Sequence, residues 1–199
     1  CSYSLEGGEA LIRWNHPERG LLQPDEFMEL AEDSRLIVAI DKWALFRTVR
    51  DLARWLAEYD LFLCMNVSAQ EFNDEELPEI VASALHQFPE VEPGRLKLEL
   101  TERRSMQDPH ASAARMRLLG EHGVEIWIDD FGIGQSSLAY LKALPATTLK
   151  IDRSLIEGIE TQVNERRYLA GIIETIRARG KAIVVEGVQS PGQLQVVRE

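Results

Sequence analysis

Short apolar runs rich in β-forming residues alternate along this chain with longer stretches of helical period. The runs predicted to be strands are 9–14, 61–66, 96–100, 124–129, 147–152 and 182–187. Helical patterns lie between them, at 40–59, 76–88, 109–123 and 164–180. A strand, helix, strand rhythm of roughly 20 to 35 residues per unit is typical of βαβ units, so the chain is predicted to be an α/β protein with a parallel sheet.

A polar or charged side chain lies in or beside each predicted strand. These residues are Glu9, Asn66, Glu99, Asp129 with Asp130, Lys150 with Asp152, and Glu186. Active sites of parallel α/β folds lie at the carboxyl ends of the strands, where the βα loops gather. For one such residue, solvation or capping of the next helix is an ordinary alternative. Recurrence in all six strands favours a shared site.

The candidate site is strongly acidic. Its carboxylates are Glu9, Glu99, Asp129, Asp130 and Glu186, and Lys150 is its one cation. Carboxylates packed within about 10 Å raise one another's pKa values unless cations intervene. Carboxylate and amide oxygens without a Cys or His cluster favour two Mg²⁺ or Mn²⁺ ions over zinc. Two such ions roughly 3.5 to 4 Å apart support attack of water on a phosphodiester.

Composition limits the partners and the compartment. The chain has 199 residues, with 33 acidic against 22 basic side chains and a net charge of -11, so binding to a DNA or RNA polymer is not expected. No apolar run approaches the ~18 residues of a membrane span, so no membrane contact is expected from this segment. The two cysteines, Cys1 and Cys64, form no disulfide framework; Cys64 is predicted to be a buried small hydrophobe, and the setting to be cytoplasmic.

Five segments resemble the successive motifs of one family. They are "EALIRWNHPERGLLQPDEFMELAE", "MNVSAQ", "LELTE", "IDDFGIGQSSLAYLKALPATTLKIDRS" and "VVEGVQS". In order and spacing they are similar to the motifs of EAL-domain phosphodiesterases, which hydrolyse the bacterial second messenger cyclic di-GMP. The family fold is a TIM-like (β/α) barrel with one antiparallel strand. The resemblance implies one EAL domain over residues 1–199, expected to be truncated at both ends and to lack the family's first and last strands.

The resemblance also implies a role for each candidate residue. The implied metal ligands are Glu9, Asn66, Glu99, Asp129 and Asp130; the implied substrate contacts are Leu11, Arg13 and Asp152. Lys150 matches a lysine that contacts the catalytic water, and Glu186 a general base or metal-site partner. Glu102 matches a glutamate that steadies the loop after Asp130. From the residues alone, Arg13 either clamps a phosphate oxygen or lies solvated along Trp14.

Three positions depart from the family pattern. Ile133 and Gln135 stand where threonine and tyrosine are usual, and Gln189 replaces a glutamate, which is expected to tune activity. The implied reaction gives linear 5'-pGpG. The implied partners are cyclic di-GMP, a second copy in a homodimer, and sensor or diguanylate-cyclase domains. Two alternatives stay open: a receptor that binds cyclic di-GMP without hydrolysis, and an unrelated Mg²⁺-dependent barrel enzyme.

Overall fold

The structure is a computed structural model that describes residues 4–34, 36–105, 108–132 and 143–198, with Arg104 described by its backbone alone. Ile133 and Gln135, two of the three positions that depart from the family pattern, lie outside the described residues. The chain separates into two compact units. One comprises Cys1–Glu99 with Leu118–Glu125, and the other Leu100–Arg117 with Ile126–Glu199.

The first unit holds three neighbouring parallel strands and the helices that cover them. Its elements are β1 (Gly7–Ala10), β2 (Trp14–His16), β3 (Gly20–Leu22), α1 (Met28–Asp33), α2 (Ile37–Trp55), β4 (Phe62–Asn66), α3 (Ala69–Phe72), α4 (Leu77–Gln87) and the start of β5 (Leu96–Thr101). β4 pairs with β1 on one side and with β5 on the other, both in parallel. β2 and β3 form a separate antiparallel hairpin.

Strand β1 ends earlier than the sequence pattern predicted. It covers Gly7–Ala10, whereas the apolar pattern indicated a strand over 9–14. Gly7 packs so closely on Phe62 of β4 that a Cβ there would overlap the Phe62 ring. Glycine is disfavoured in strands but permits such close approach. Gly7, which weakens the strand pattern in the sequence, is therefore what permits this close pairing with β4.

Helix α2 presents a buried stripe toward the strands. Its buried positions are Ile37, Asp41, Leu45, Thr48, Val49 and Leu52, at the spacing of one helix face. Trp43, although it is apolar, lies off this stripe and is 56% exposed. Asp41 is the unexpected member of this stripe, because an aspartate is rarely buried unless another group pairs with its carboxylate.

The second unit repeats the parallel arrangement. Its elements are the end of β5, α5 (Glu102–Ser105), most of α6 (Pro109–Glu121), β6 (Glu125–Phe131), β7 (Thr148–Ile151), α7 (Val163–Arg177), β8 (Ala182–Val185) and α8 (Pro191–Arg198). β7 lies between β6 and β8 and is parallel to both. The apolar side chains of β7 and the buried face of α7 form the core of this unit.

All six predicted strands and all four predicted helices are present, with shifted ends. The hairpin of β2 and β3 and the helices α1, α3, α5 and α8 were not predicted, because elements this short show little periodicity. Cys64 is buried, as predicted. Among the described residues, no helix combines the length and the apolar character needed to cross a membrane.

Candidate functional site

Three of the predicted metal ligands share one face of the strands in the first unit. Glu9 is in register with Cys64, and Asn66, two residues after Cys64, is in register with Glu99. Residues in register on neighbouring strands point to the same face, and alternate residues of a strand do so as well. The Asn66 Nδ2 atom donates a hydrogen bond of 2.7 Å to Glu9 Oε1.

Burial differs sharply within this group. Glu99 is 0% exposed, whereas Glu9 and Asn66 are exposed. An ionised carboxylate that has lost its water requires compensating charge or hydrogen bonds. Glu99 is therefore the most deeply buried of these three ligand candidates.

A cavity of about 560 Å³ opens beside this face and is lined by Glu9, Leu11, Arg13 and Asn66. Its volume lies in the range of small-molecule sites. The side chain of Arg13 is exposed, and its Nη1 atom donates to the carbonyl oxygen of Ile12 at 2.8 Å. The predicted contacts at Leu11 and Arg13 thus lie in one cavity with two predicted metal ligands.

Arg47 also lines this cavity and was missed by the sequence reasoning. Its Nε atom lies 2.6 Å from Asp51 Oδ2, one helical turn later in α2. A charged residue on the outer side of a helix is ordinary, and the i, i+4 pairing with Asp51 is the usual pattern of a solvated helix surface. The sequence therefore held no signal that separated Arg47 from other surface residues.

In the second unit, Lys150 joins two predicted site carboxylates. Its Nζ atom lies 3.2 Å from Asp129 Oδ1 and 2.7 Å from Glu186 Oε1. Lys150 is in register with Val184 of β8, so Glu186, two residues later, continues on the same face. Lys150 is 4% exposed, which makes these contacts stronger than surface ion pairs.

The two aspartates occupy a β-bulge. The β6–β7 register shifts between Ile128 and Phe131, so that Asp129 and Asp130 together face Lys150 of β7. Asp130 has a φ of 56°, and it is the only described residue other than glycine with a positive φ. Its backbone N donates to Asp129 Oδ1 at 2.9 Å. Bulges commonly redirect side chains beside active sites, and aspartate is among the few residues that tolerate this conformation.

Glu102 connects the end of β5 to the residue that follows β6. It is 2% exposed, and its Oε2 atom accepts a hydrogen bond of 3.1 Å from the backbone N of Gly132. Gly132 has a φ of 104°, and a Cβ there would overlap Leu155. The role of Glu102 in steadying the loop after Asp130 stays a prediction.

The structure gives Asp152 a local structural role. Its Oδ1 atom accepts from Ser154 N at 2.8 Å and caps a short 3-10 helix, Arg153–Ile156. Burial raises the pKa of the Asp152 carboxyl, but hydrogen bonds from Ser154 and Arg153 and the Arg153 charge outweigh burial, so the pKa lies below its ordinary value. Its substrate contact stays a prediction.

Gln189 is exposed, with its backbone N bonded to Gln193 Oε1 at 2.8 Å. The glutamine that replaces the family's glutamate therefore lies in a loop held at its backbone by the start of α8. The expected effect of this replacement on activity stays a prediction.

The donor chemistry of both units fits a hard divalent ion. Carboxylate and amide oxygens are available from Glu9, Asn66 and Glu99 in one unit and from Asp129 and Asp130 in the other. Such donors prefer Mg²⁺ or Mn²⁺. Within the described ranges, no three His, Cys, Asp or Glu side chains are grouped as a metal cluster.

Comparison with known proteins places these features in one family. The EAL domain family model matches residues 1–199. The chain is 41% identical over 189 residues to the bifunctional diguanylate cyclase/cyclic di-GMP phosphodiesterase MucR of Pseudomonas aeruginosa, covering 94% of this chain and 27% of MucR. It is 39% identical over 193 residues to the cyclic di-GMP phosphodiesterase NbdA of the same organism, covering 96% of this chain and 24% of NbdA.

A solved structure of the PaMucR phosphodiesterase in complex with c-di-GMP superposes with a TM-score of 0.88 and 40% identity, covering 96% of this chain and 77% of that one. The predicted TIM-like α/β fold class is thereby confirmed. The chain spans about a quarter of the length of MucR and NbdA. By its sequence motifs, its fold and the match over its whole length, the chain belongs to the EAL domain family.

Proposed function

We propose that this EAL domain is a metal-dependent phosphodiesterase that hydrolyses cyclic di-GMP to linear 5'-pGpG. One observation carries the proposal: in each unit, side chains predicted to hold metal or water stand at strand ends and touch one another. Asn66 bonds Glu9 in the first unit, and Lys150 bonds Asp129 and Glu186 in the second. The names of MucR and NbdA, which describe cyclic di-GMP phosphodiesterases, support this class of activity.

Substrate binding has to overcome like charge. The chain carries a net charge of -11, and the cyclic dinucleotide carries two phosphates, so the overall field disfavours their approach. Arg13 offers a guanidinium that can bind a phosphate oxygen in the cavity it lines with Leu11. Two Mg²⁺ or Mn²⁺ ions would supply positive charge that offsets the carboxylates and the phosphodiester; the residues that would hold them are Glu9, Asn66 and Glu99 in the first unit and Asp129 and Asp130 in the second.

Glu186 and Lys150 are suited to handling the attacking water. The water oxygen forms a bond to phosphorus, the bond from phosphorus to the 3' oxygen breaks, and a 5'-phosphate and a 3'-hydroxyl result. Glu186 accepts a proton from the water, and the 3' oxygen takes up a proton, so one water is consumed. The Lys150 ammonium, 2.7 Å from Glu186 Oε1, orients that carboxylate and can donate a hydrogen bond to the water.

The direct test is incubation of the chain with cyclic di-GMP and Mg²⁺ or Mn²⁺, followed by chromatography of the products. We expect pGpG, and we expect Asp130→Asn and Lys150→Met to lower kcat by about a hundredfold or more. Lys42→Met, at an exposed lysine of α2, is the control and keeps wild-type kcat. No turnover with either ion would refute the proposal, and tight calorimetric binding in the same samples would favour the receptor alternative.

The same proposal covers the partners. MucR is named as bifunctional, and this chain matches 27% of it. We propose that this domain, too, acts beside a sensor or diguanylate-cyclase domain, as a homodimer, and in the cytoplasm. Sedimentation equilibrium of the chain tests the dimer: a single species of monomer mass at micromolar concentration would contradict it.

A further inference from the structure

Two buried carboxyl groups, one on α2 and one on α3, lie next to each other in the first unit. Glu71 of α3 is 1% exposed and Asp41 of α2 is 5% exposed. Within the part of the chain that the structure describes, neither side-chain oxygen of Glu71 meets a hydrogen-bond donor. Two ionised carboxylates without water repel each other strongly, so this arrangement favours a proton on one of them.

That proton belongs on Glu71. Burial, as the largest cause, acts together with the charge of Asp41, the interaction with the Asp41 carboxyl and the charge of Asp74, and these raise the pKa of Glu71 to about 8. Asp41 on α2 and Asp74 in the turn after α3 are the titratable groups that face Glu71, and both are acidic. Asp41 already accepts a hydrogen bond from Ser68 N, at 3.3 Å, which favours its ionised form.

This pair lies next to the segment that carries Asn66. Directly after Asn66, Val67 N donates to the carbonyl oxygen of Glu99 at 3.0 Å. Ser68 N then donates to Asp41, and Ser68 Oγ accepts from Glu71 N at 3.1 Å, which caps α3. Asp41 therefore accepts from the backbone two residues after Asn66 and lies beside the carboxyl group of Glu71.

We propose that Glu71 is a positioning residue: as a neutral acid it donates its proton to Asp41, and this hydrogen bond fixes the segment 66–72 and with it Asn66. The consequence for catalysis rests on the proposed function. The Glu71–Asp41 hydrogen bond and the ordering of residues 66–72 are independent of that function. When Glu71 ionises, the donor is lost, two carboxylates oppose each other, and the segment opens.

Amide hydrogen exchange of residues 67–72 tests the positioning without reference to activity. Glu71→Gln keeps the shape and a donor to Asp41 but cannot ionise. Variants are compared at equal pH, because intrinsic exchange itself depends on pH. At pH 6 we expect wild type and Glu71→Gln to agree within about twofold. At pH 9, one unit above the pKa, only about a tenth of the chains keep the neutral Glu71 that donates to Asp41, so we expect wild type to exchange about tenfold faster.

Glu75→Gln is the matched control, because Glu75 is exposed and four residues from Glu71; it should follow wild type at both pH values. Equal exchange of wild type and Glu71→Gln at pH 9 would overturn the proposal. If Glu71→Gln fails to fold, Asp41→Asn decides, since removal of the opposing charge should weaken the pH-dependent opening; an unchanged opening in Asp41→Asn contradicts the proposal.

Hydrolysis gives the second readout. We expect kcat of wild type to fall above pH 8 relative to Glu71→Gln, by about tenfold at pH 9, and the two to match at pH 7. If wild type and Glu71→Gln show the same dependence of kcat on pH while their amide exchange differs as expected, Glu71 has only a structural role. That result would overturn the claim that Glu71 positions Asn66. If wild type shows no hydrolysis at all, the proposed function fails, while the exchange experiment still decides the hydrogen bond.

Discussion

Lys150 is the residue on which the second unit's carboxylates depend. It is buried, and its ammonium contacts both Asp129 and Glu186. Removal of one partner from a buried ion pair leaves uncompensated charge, which typically costs about 3 to 5 kcal/mol. We expect Lys150→Met to lower the free energy of unfolding in urea by about that amount, in buffer without divalent ions.

Lys42→Met removes one lysine from an exposed position and should leave stability within about 0.5 kcal/mol of wild type. Added Mn²⁺ should restore part of the stability of Lys150→Met, because both cations neutralise the same carboxylates. Equal stability of Lys150→Met and wild type would show that the contacts of Lys150 contribute nothing.

Gly132 is required at its position for two independent reasons. Its φ of 104° disfavours any residue with a Cβ, and that Cβ would overlap Leu155. Gly132→Ala should therefore lower the thermal unfolding midpoint and weaken the hydrogen bond to Glu102. Gly171→Ala is the control, because Gly171 lies in α7 with open space around it; there alanine should stabilise by about 0.5 to 1 kcal/mol.

At the scale of elements, α3 should make stability depend on pH. The Glu71 carboxyl has its pKa raised from 4.5 to about 8 on folding, so between these values the folded chain binds the extra proton. Stability then falls as pH rises through this window, by up to about 1.4 kcal/mol per pH unit, and becomes level above pH 8. Urea unfolding at pH 5, 6, 7 and 8 should show Glu71→Gln gaining on wild type at each step; a constant difference would exclude the shift.

Periodicity predicted the long elements, and the features it missed have physical reasons. Strand β1 was misplaced because its pairing with β4 uses two glycines that a strand pattern excludes. The bulge at Asp129 and Asp130 was not predictable, since two adjacent acids look the same in a regular strand and in a bulge. Asp41 lies on the buried face of α2, but its burial was not predicted, because Glu71, the residue it interacts with, lies on another helix.

At the scale of the whole molecule, the acidic composition predicts a marked response to divalent ions. An ion that binds only the folded state stabilises it by about 2.7 kcal/mol at a concentration 100 times its Kd. We expect Mn²⁺ to raise the thermal unfolding midpoint and EDTA to reverse the rise. Glu9→Gln and Asp129→Asn should each reduce the shift, and KCl at equal ionic strength should not reproduce it. An unchanged midpoint with Mn²⁺ would contradict metal binding.

The candidate site was more predictable than its surroundings. Strand ends supplied Glu9, Asn66, Lys150 and Glu186, because topology alone sends such residues to one edge of each parallel group of strands. Strand topology could not predict that Arg47 lines the cavity, because the position of Arg47 depends on how α2 is rotated against the strands. Rotation of a helix is decided by packing, which a single sequence expresses only in part.

The left-handed backbone at Asp130 narrows the routes by which this position can change over evolutionary time. Most replacements would both delete a carboxylate and strain the chain by about 1 to 2 kcal/mol, whereas asparagine and glycine remove the charge without the strain. If the proposed phosphodiesterase activity is lost in a descendant that keeps the fold, we therefore expect asparagine or glycine here. The backbone angle at position 130 thus separates substitutions that remove only the carboxylate from substitutions that also destabilise the fold.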